Sequence, residues 1–362
     1  MAATFLTETA NEPGRLRELV SGIDALYLSG RTELSKAVVD ELEGRRVDAM
    51  AEDASVPVVL GNEVFELAPR NFGKYRYRIE HLNGLVGVTT SEHLPALRVQ
   101  PRAELLHALG PSLAIEWLTS RCEAVFGPVE WSVNRLDLFC DIQGWELEGN
   151  DRDRFVCRAS RRDTHEEGAD WTGFEFGRRG TGTVAARIYD KTAEIVTKGN
   201  DYWYEVWGDS RVPDMSVMRI EFELGRQGLK EFGVSSPEDA MAEASGIWAG
   251  VTEQWLTYRI RTGDETRSRW PLADEWLSVQ SAQLRGTAIG LDRVRKAKSA
   301  GHLRLILPAL IGYTARMAQL VEVETLDQAL GALRTLVLED EIRRGLQFQH
   351  RVERLRREAA FE

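Results

Sequence analysis

Residues 134–142 read NRLDLFCDI, and the way their side chains alternate decides the fold. In an extended chain, successive side chains point to opposite faces. Leu136, Leu138, Cys140 and Ile142 therefore share one face, and Arg135, Asp137, Phe139 and Asp141 share the other. In MRIEFELG (218–225) the same rule sets Ile220, Phe222 and Leu224 against Arg219, Glu221 and Glu223. In ARIYDKT (186–192) it groups Arg187, Tyr189 and Lys191. Each segment has a polar face, and two have a clean apolar reverse. A sheet whose apolar side packs under helices while its polar side stays open to solvent or ligand satisfies all three.

Working outward, GIDALYLSG (22–30) reads as a first strand behind a polar stretch, 1–20, expected to be flexible. TELSKAVVDELEGRRVDAMAED (32–53) has the pattern of an amphipathic helix, with Val38, Val39 and Leu42 on its apolar stripe. VPVVL, EVFELAP, YRYRIEHL, LVGVTT and LPALRVQP alternate between Gly, Asn and Pro punctuation, which predicts antiparallel pairing. PRAELLHALGPSLAIEWLTSRCEAVFG (101–127) returns to helical spacing with a break at Pro111. A further helix is expected around 150–160, and strand, helix and strand runs recur in both halves as two βαβ-type units facing each other. After Gly233 the composition shifts. Ser236 reads as a helix N-cap, with Pro237 at the first helical position and two acids behind it, and helical periodicity continues to the end. The expected fold class is α+β: a mixed, largely antiparallel sheet over 21–234, with helices on one face and an open polar face, followed by an α-helical C-terminal region over 235–362.

The net charge of −11, with 43% hydrophobic and 28% charged residues, suits a soluble globular chain and not one that coats nucleic acid indiscriminately. A local basic groove is compatible with that balance. Arg285, Arg293, Arg295, Lys296, Lys298 and Arg304 against Asp292 make a basic island in 285–304, either a duplex-binding face or a solvated one. No apolar run approaches the ~18 residues a membrane span needs. The N-terminal MAATFLTETANEPGR lacks the basic-then-apolar layout of a secretory signal, so no membrane partner is expected. Cys122, Cys140 and Cys157 form no CxxC pair and fit reduced thiols in a cytoplasmic protein, Cys140 buried. The scattered histidines give no His-based metal motif.

If the three strands are neighbours, their polar faces pool Arg135, Asp137, Asp141, Arg187, Tyr189, Lys191, Arg219, Glu221 and Glu223, an inventory suited to phosphodiester chemistry. Carboxylates hold Mg²⁺ or Mn²⁺, which prefer hard oxygen ligands. Cations stabilise charge on phosphate oxygens, and a tyrosine can attack phosphorus. Taken singly, each strand is equally well explained as a cross-strand ion-pair ladder. Upstream of the tyrosine, GFEFGRRGTGTVAARIYDKTAE (173–194) carries Arg178 and Arg179 on a glycine-rich turn, which either closes a hairpin or brings Arg178 toward a ligand.

In this order, NRLDLFCD, FGRRGTGTVAARIYDKTAE and VMRIEFELGRQGLKEFG resemble the Rep_trans family, rolling-circle replication initiators of plasmids, phages and integrative elements. The family pattern is an R-x-D-x-x-x-D strand, a G-R-x-x-(few)-R-x-Y-x-K-x-x-E segment and an R-x-E-x-x-L-R strand. Arg135/Asp137/Asp141, Gly177/Arg178 with Arg187/Tyr189/Lys191/Glu194, and Arg219/Glu221/Leu224 match it. Gly225-Arg226 stands where the family more often has an arginine directly after leucine. The resemblance covers roughly 20–235. It implies sequence-specific binding of origin DNA and metal-dependent nicking and joining of one strand, through a 5′-phosphotyrosine link that frees a 3′-hydroxyl. Carried over to this chain, it makes Tyr189 the nucleophile, with Lys191 and Arg187 as catalytic companions on the open face. Asp137, Asp141 and Glu221 become ligands of Mg²⁺ or Mn²⁺, with Glu223 and Glu194 in reserve. Arg178, Arg179, Arg135 and Arg219 hold backbone phosphates, which guanidinium groups grip in bidentate fashion. The implied partners are origin DNA (duplex with an extruded hairpin, or single-stranded), a host helicase and polymerase, and a second copy of the chain in a homodimer. No GxxxxGK[ST] loop is present, so the helicase is a separate protein.

Tyr202 and Tyr204 in DYWYEVWG (201–208) are alternative nucleophiles, although the crowding there with Trp203 and Trp207 reads as packing or base stacking. The same residues would also suit a conjugative-element relaxase, a hydrolytic metal-dependent nuclease with water as nucleophile, or a non-catalytic DNA-binding protein.

Overall fold

The computed structural model describes residues 16–360 apart from 82, 83, 169 and 346. Most of the expected flexible stretch, 1–15, lies outside the described residues. From Arg17 the chain is already strand, because β1 (Arg17–Arg31) extends five residues upstream of the expected start at Gly22 to pair along its whole length with β7 (Glu130–Gln143).

Between those two strands come α1 (Lys36–Glu52), β2 (Val56–Leu60), β3 (Glu63–Ala68), β4 (Tyr77–His81), β5 (Gly84–Val88), β6 (Leu97–Pro101), α2 (Ala103–Leu109) and α3 (Pro111–Phe126). After β7 follow β8 (Phe155–Cys157), β9 (Arg162–Glu167), β10 (Asp170–Phe176), β11 (Val184–Asp190), α4 (Lys191–Lys198), α5 (Tyr202–Trp207) and β12 (Val217–Gly225). The chain then runs through α6 (Arg226–Glu231), α7 (Pro237–Ala242), α8 (Ala244–Gly250), β13 (Leu256–Tyr258), α9 (Asp274–Gln280), α10 (Leu291–Leu320), α11 (Leu326–Arg344) and α12 (Phe348–Ala360). The helix expected around 150–160 is instead a 3-10 turn, Gly149–Arg154, followed by β8. β8 pairs with β13, Cys157 opposite Leu256, and so remote a partner is invisible to local periodicity.

One 11-stranded sheet carries the fold, in the order β2-β3-β4-β5-β6-β1-β7-β12-β11-β10-β9. Every pairing in it is antiparallel. β1 and β7 lie together at the centre. In each half the last strand returns beside the first, β6 to β1 and β12 to β7. β2–β6 and β9–β12 are thus antiparallel meanders, the second with α4 and α5 between β11 and β12, and not βαβ units.

The register brings the three polar faces together. Asp137 lies opposite Glu223 and Asp141 opposite Arg219, while Arg187 faces Glu221 and Tyr189 faces Arg219. The apolar reverse forms one cluster in which Leu138, Ile188 and Phe222 meet Leu42 of α1, Leu118 of α3, and Ile247 and Trp248 of α8. That cluster also takes in Trp276 and Val279 of α9, so the expected domain boundary at 235 does not coincide with a gap in the core. Ser236 caps α7 as expected, in a reciprocal capping box with Asp239, and Pro237 opens the helix. On the polar side a second cluster closes part of the face: Phe139 and Val20 from the sheet pack with Ile195 of α4, Trp203 and Trp207 of α5, and Val294 of α10.

Half of the basic island is used in seating α10. Lys298 pairs with Glu104 at 2.8 Å, Arg304 with Asp201 at 2.8 Å, and Arg293 with Glu205. Cys140 is buried, and the three cysteines are free thiols. Among the described residues no helix is long and apolar enough to cross a membrane.

The Gly177–Thr183 turn is pinned to β12 and α6. Gly225 N–H donates to the Thr183 carbonyl at 3.0 Å, and the N–H groups of Gln227 and Gly228 donate to the Gly182 carbonyl at 2.7 and 3.1 Å. A Cβ on Gly225 would sit 2.3 Å from Gly182 Cα, deep inside contact distance. Gly225→Ala should therefore cost about 1–3 kcal/mol in urea unfolding and speed proteolysis within 177–183. A variant with wild-type midpoint and cleavage rate would show that the turn is not clamped there.

Candidate active site

β11 places Arg187 and Tyr189 on one face by simple alternation. Tyr189 is half-buried, and its hydroxyl donates to Glu221 Oε2 at 3.3 Å. The Arg187 guanidinium reaches both Glu221 oxygens at 2.8 Å and lies 4.8 Å from the Tyr189 ring centre. Burial, reinforced by the Glu221 carboxylate, pushes the Tyr189 phenol well above its ordinary pKa, so the resting side chain is a neutral donor.

Lys191 is not the next strand residue of that face. The Asp190 carboxylate accepts from Ala193 N–H at 3.0 Å and caps α4, so Lys191 begins a helix. Its ammonium still turns toward the tyrosine, 5.8 Å from the ring centre and 4.7 Å from that of Trp203, and pairs with Glu194. Burial and the nearby Arg219 lower the Lys191 pKa. Burial works to raise that of Glu194, but Lys191 and Lys198 hold it down at about 2.

The acids are interleaved with guanidinium groups. Arg135 Nε donates to Asp137 at 2.7 Å, and its other arm reaches Glu223 at 3.0 Å. Arg179 bridges Glu223 at 2.9 Å and Glu221 at 3.4 Å, and Gly180 N–H donates to Glu223 at 2.6 Å. Burial, with Glu221 and Glu223 close by, pushes the Asp137 carboxyl up to about 7 in spite of Arg135.

Two expected roles do not survive the geometry. Asp141 is sealed from solvent, with both oxygens on Arg219 at 2.7 and 2.8 Å and a third bond from Trp207 Nε1 at 2.8 Å. It has no open side for a metal. Arg219 is equally enclosed, held between the rings of Phe139 and Trp203 at 4.2 and 3.9 Å, and cannot touch DNA. Tyr202, Trp203 and Trp207 are core residues, and Tyr204 is half-buried with Arg211 stacked on it at 4.6 Å.

Asp24 joins the site without having been expected there. The β1–β7 register shifts between Ile23, opposite Leu138, and Ala25, opposite Asp137, so Asp24 is the extra residue of a β-bulge. Bulges re-aim side chains, and this one sends the Asp24 carboxylate to Arg219 at 3.0 Å. Burial opposes its ionisation, but Arg219, His107 and Lys191 hold the carboxyl well below its usual range. His107, buried on α2, lies 3.6 Å from Asp24 and edge-on to Trp203. The bulge carries no sequence signature, and His107 looks like any helical residue.

Two clefts open on this network. One, of about 340 Å³, is lined by Asp24, Tyr27, Arg135, Asp137 and Glu221; the other, of about 400 Å³, by His165, Glu175, Tyr189, Asp190 and Glu194. Arg179 and Arg187 line both and form the wall between them. Arg178 points away from both and is exposed. Among the described residues, no three His, Cys, Asp or Glu side chains converge where a metal ion could be held. Asp137, Glu221 and Glu223 face guanidinium groups instead, and the Mg²⁺ or Mn²⁺ set expected on Asp137, Asp141 and Glu221 does not fit this arrangement.

Among solved structures, that of a rolling circle replication initiator protein from Geobacillus stearothermophilus aligns with 75% of this chain and 100% of its own, at 16% identity and a TM-score of 0.43. No protein-family model and no curated protein matches the chain.

The raised Asp137 carboxyl has a consequence for stability. The folded state holds that proton more tightly than the unfolded chain does, so stability is lost as pH rises from about 4 to about 7. Urea unfolding at about pH 5 and about pH 8 should show Asp137→Asn with a smaller loss across that window than wild type. Equal losses in both proteins would place the proton elsewhere in the carboxylate cluster.

Proposed function

We propose that this chain nicks and rejoins DNA through Tyr189, as a rolling-circle replication initiator of the Rep_trans kind. The observation that carries this reading is the Tyr189 hydroxyl donating to Glu221 while Arg187, bonded to the same carboxylate, lies against the tyrosine ring. A phenol with a raised pKa is a poor nucleophile until a base takes its proton, and Glu221 is in hydrogen-bond reach to do so.

The Tyr189 oxygen then attacks a backbone phosphorus. The new phosphotyrosine bond forms as the bond from phosphorus to the 3′ oxygen breaks, which leaves the downstream segment of the strand on the protein through its 5′ phosphate. The proton that Glu221 took passes to the departing 3′ oxygen and completes the free 3′-hydroxyl. Rejoining runs the same steps in reverse. Arg179 and Arg187, in the wall shared by both clefts, are set to donate to the non-bridging phosphate oxygens as charge builds on them. Lys191, enclosed beside the ring, contributes its positive field and not a contact to phosphate. The DNA is an origin presenting a hairpin or a single strand, and a helicase, a polymerase and a second copy of the chain complete the working assembly.

Incubation with supercoiled plasmid carrying the inverted repeats that neighbour the gene tests the reading. Wild type should give nicked circles and an SDS-stable adduct whose peptide maps to Tyr189. Tyr189→Phe should abolish both while still shifting origin DNA in a gel, and Glu221→Gln should slow cleavage by roughly 10²–10⁴-fold. An adduct that persists in the Phe variant sinks the assignment; cutting without any adduct makes the protein a hydrolytic nuclease.

A further inference from the structure

A third cleft, of about 520 Å³, lies on the other side of the pinned turn from Tyr189, and nothing in the chemistry above uses it. Arg158, Arg161 and Arg178 line it together with Ser160, Thr181 and Trp255. Three backbone connections build it. Arg158 N–H donates to the Trp255 carbonyl at 2.9 Å, Gly177 N–H donates to the Arg161 carbonyl at 3.0 Å, and the turn itself is fixed on α6.

We propose that this cleft binds an unpaired stretch of the DNA strand that Tyr189 attacks, with backbone phosphates on Arg158 and Arg178 and a base against Trp255. The inference rests on the nicking reading and adds to it a path for the strand. The guanidinium groups here differ from those of the active site in one decisive respect. Arg135, Arg179, Arg187 and Arg219 are all committed to carboxylates. Among the described residues, the Arg158 and Arg178 side chains have neither an ion-pair nor a hydrogen-bond partner. Arg161 is shared with Asp163 at 2.6 Å, and Glu231 is the one carboxylate in the lining. In a chain of net charge −11, two guanidinium groups in one concavity that no carboxylate holds are a place for a phosphate.

The aromatic ring decides between a single strand and a duplex. Trp255 is half-buried, with Phe222 behind it at 6.2 Å, and it contributes to the lining of the cleft. An unpaired base can lay its face on such a ring, whereas a duplex presents its phosphates outward and keeps its base faces stacked. The position is also right. Val184, at one end of β11, lines this cleft from the apolar reverse of the sheet, and Tyr189 lies five residues on, about 17 Å along the strand and on the polar face, so the connection runs round the end of the hairpin. A strand crossing from Trp255 to the nucleophile passes over the turn that carries Arg178 on this side and Arg179 on the other.

The test is fluorescence anisotropy of a labelled single-stranded oligonucleotide, and of the same sequence as duplex, titrated at several salt concentrations. Arg158→Ala and Arg178→Ala should each flatten the salt slope for the single strand by about 0.7. Trp255→Ala should weaken single-strand binding roughly 10- to 100-fold with little change in slope, and Trp255→Phe, which keeps the ring and the packing on Phe222, should retain most of it. Duplex binding should change much less with either tryptophan variant. Wild-type affinity for the single strand in all of these variants overturns the proposal, and so does an equal loss for single strand and duplex from Trp255→Ala. An adduct assay on the wild-type protein separates the two readings, because wild type that binds the single strand through Arg158, Arg178 and Trp255 yet forms no SDS-stable adduct removes the nicking and leaves the cleft.

Discussion

Arg219 is the charge around which the centre of the molecule is arranged. A guanidinium with no exposure to solvent is tolerated only if its hydrogen bonds and its charge are met within the protein. Here Asp141 takes two arms, Asp24 takes a third, and the rings of Phe139 and Trp203 cover the two flat sides. These four partners come from three elements: β7, the bulge in β1, and α5. Removing any one leaves a buried cation short of a partner, so the ion cluster ties the two halves of the sheet and the helical cap into one unit. Tyr189 is the register neighbour of Arg219 on β11, and its position follows from that fixed point.

Outside this sealed knot, the same residue types are arranged for exchange. Asp137, Glu221 and Glu223 are buried side by side, a costly grouping unless cations are threaded between them. Arg135, Arg179 and Arg187 provide those cations. They are held in place by the carboxylates yet remain partly exposed at the clefts, with 23%, 30% and 28% of their side chains accessible. A phosphate entering the wall between the clefts meets donors already oriented, so little side-chain freedom remains to be lost on binding. In a chain with an acidic balance, the acids here set the geometry of the arginines locally instead of adding to a general field.

Alternation made much of this legible in the sequence. The faces assigned to 135/137/139/141 and 219/221/223 are the faces observed, and their register places Asp137 against Glu223 and Asp141 against Arg219. What alternation could not convey was depth. It treated Asp141 and Asp137 alike, because nothing local says that α5 will lie over one end of the polar face and leave the other open. It also missed Asp24, since a bulge is an exception to the period-two rule that the reading relied on. Lys191 reached the expected neighbourhood by another route, at the start of a helix capped by Asp190. Half of the basic island proved to be docking contacts of α10, because Glu104, Asp201 and Glu205 are distant in sequence and adjacent in space.

The glycine-rich turn shows how a fixed backbone can divide two neighbouring side chains between two tasks. Gly177, Gly180 and Gly182 all have positive φ, a conformation other residues adopt only at a cost. Gly225 and Gly182 come so close that no side chain fits between them. With the turn clamped by three backbone hydrogen bonds to β12 and α6, Arg179 is directed inward to Glu221 and Glu223. Arg178, one residue earlier, is left on the outer side without a partner among the described residues. A loose hairpin would let both arginines sample both sides and would dilute each contact with the entropy of the loop. A clamped one commits Arg179 to the carboxylates beside Tyr189 and keeps Arg178 on the outer side. The glycines therefore do more than close a hairpin: they hold the two guanidinium groups in two different clefts.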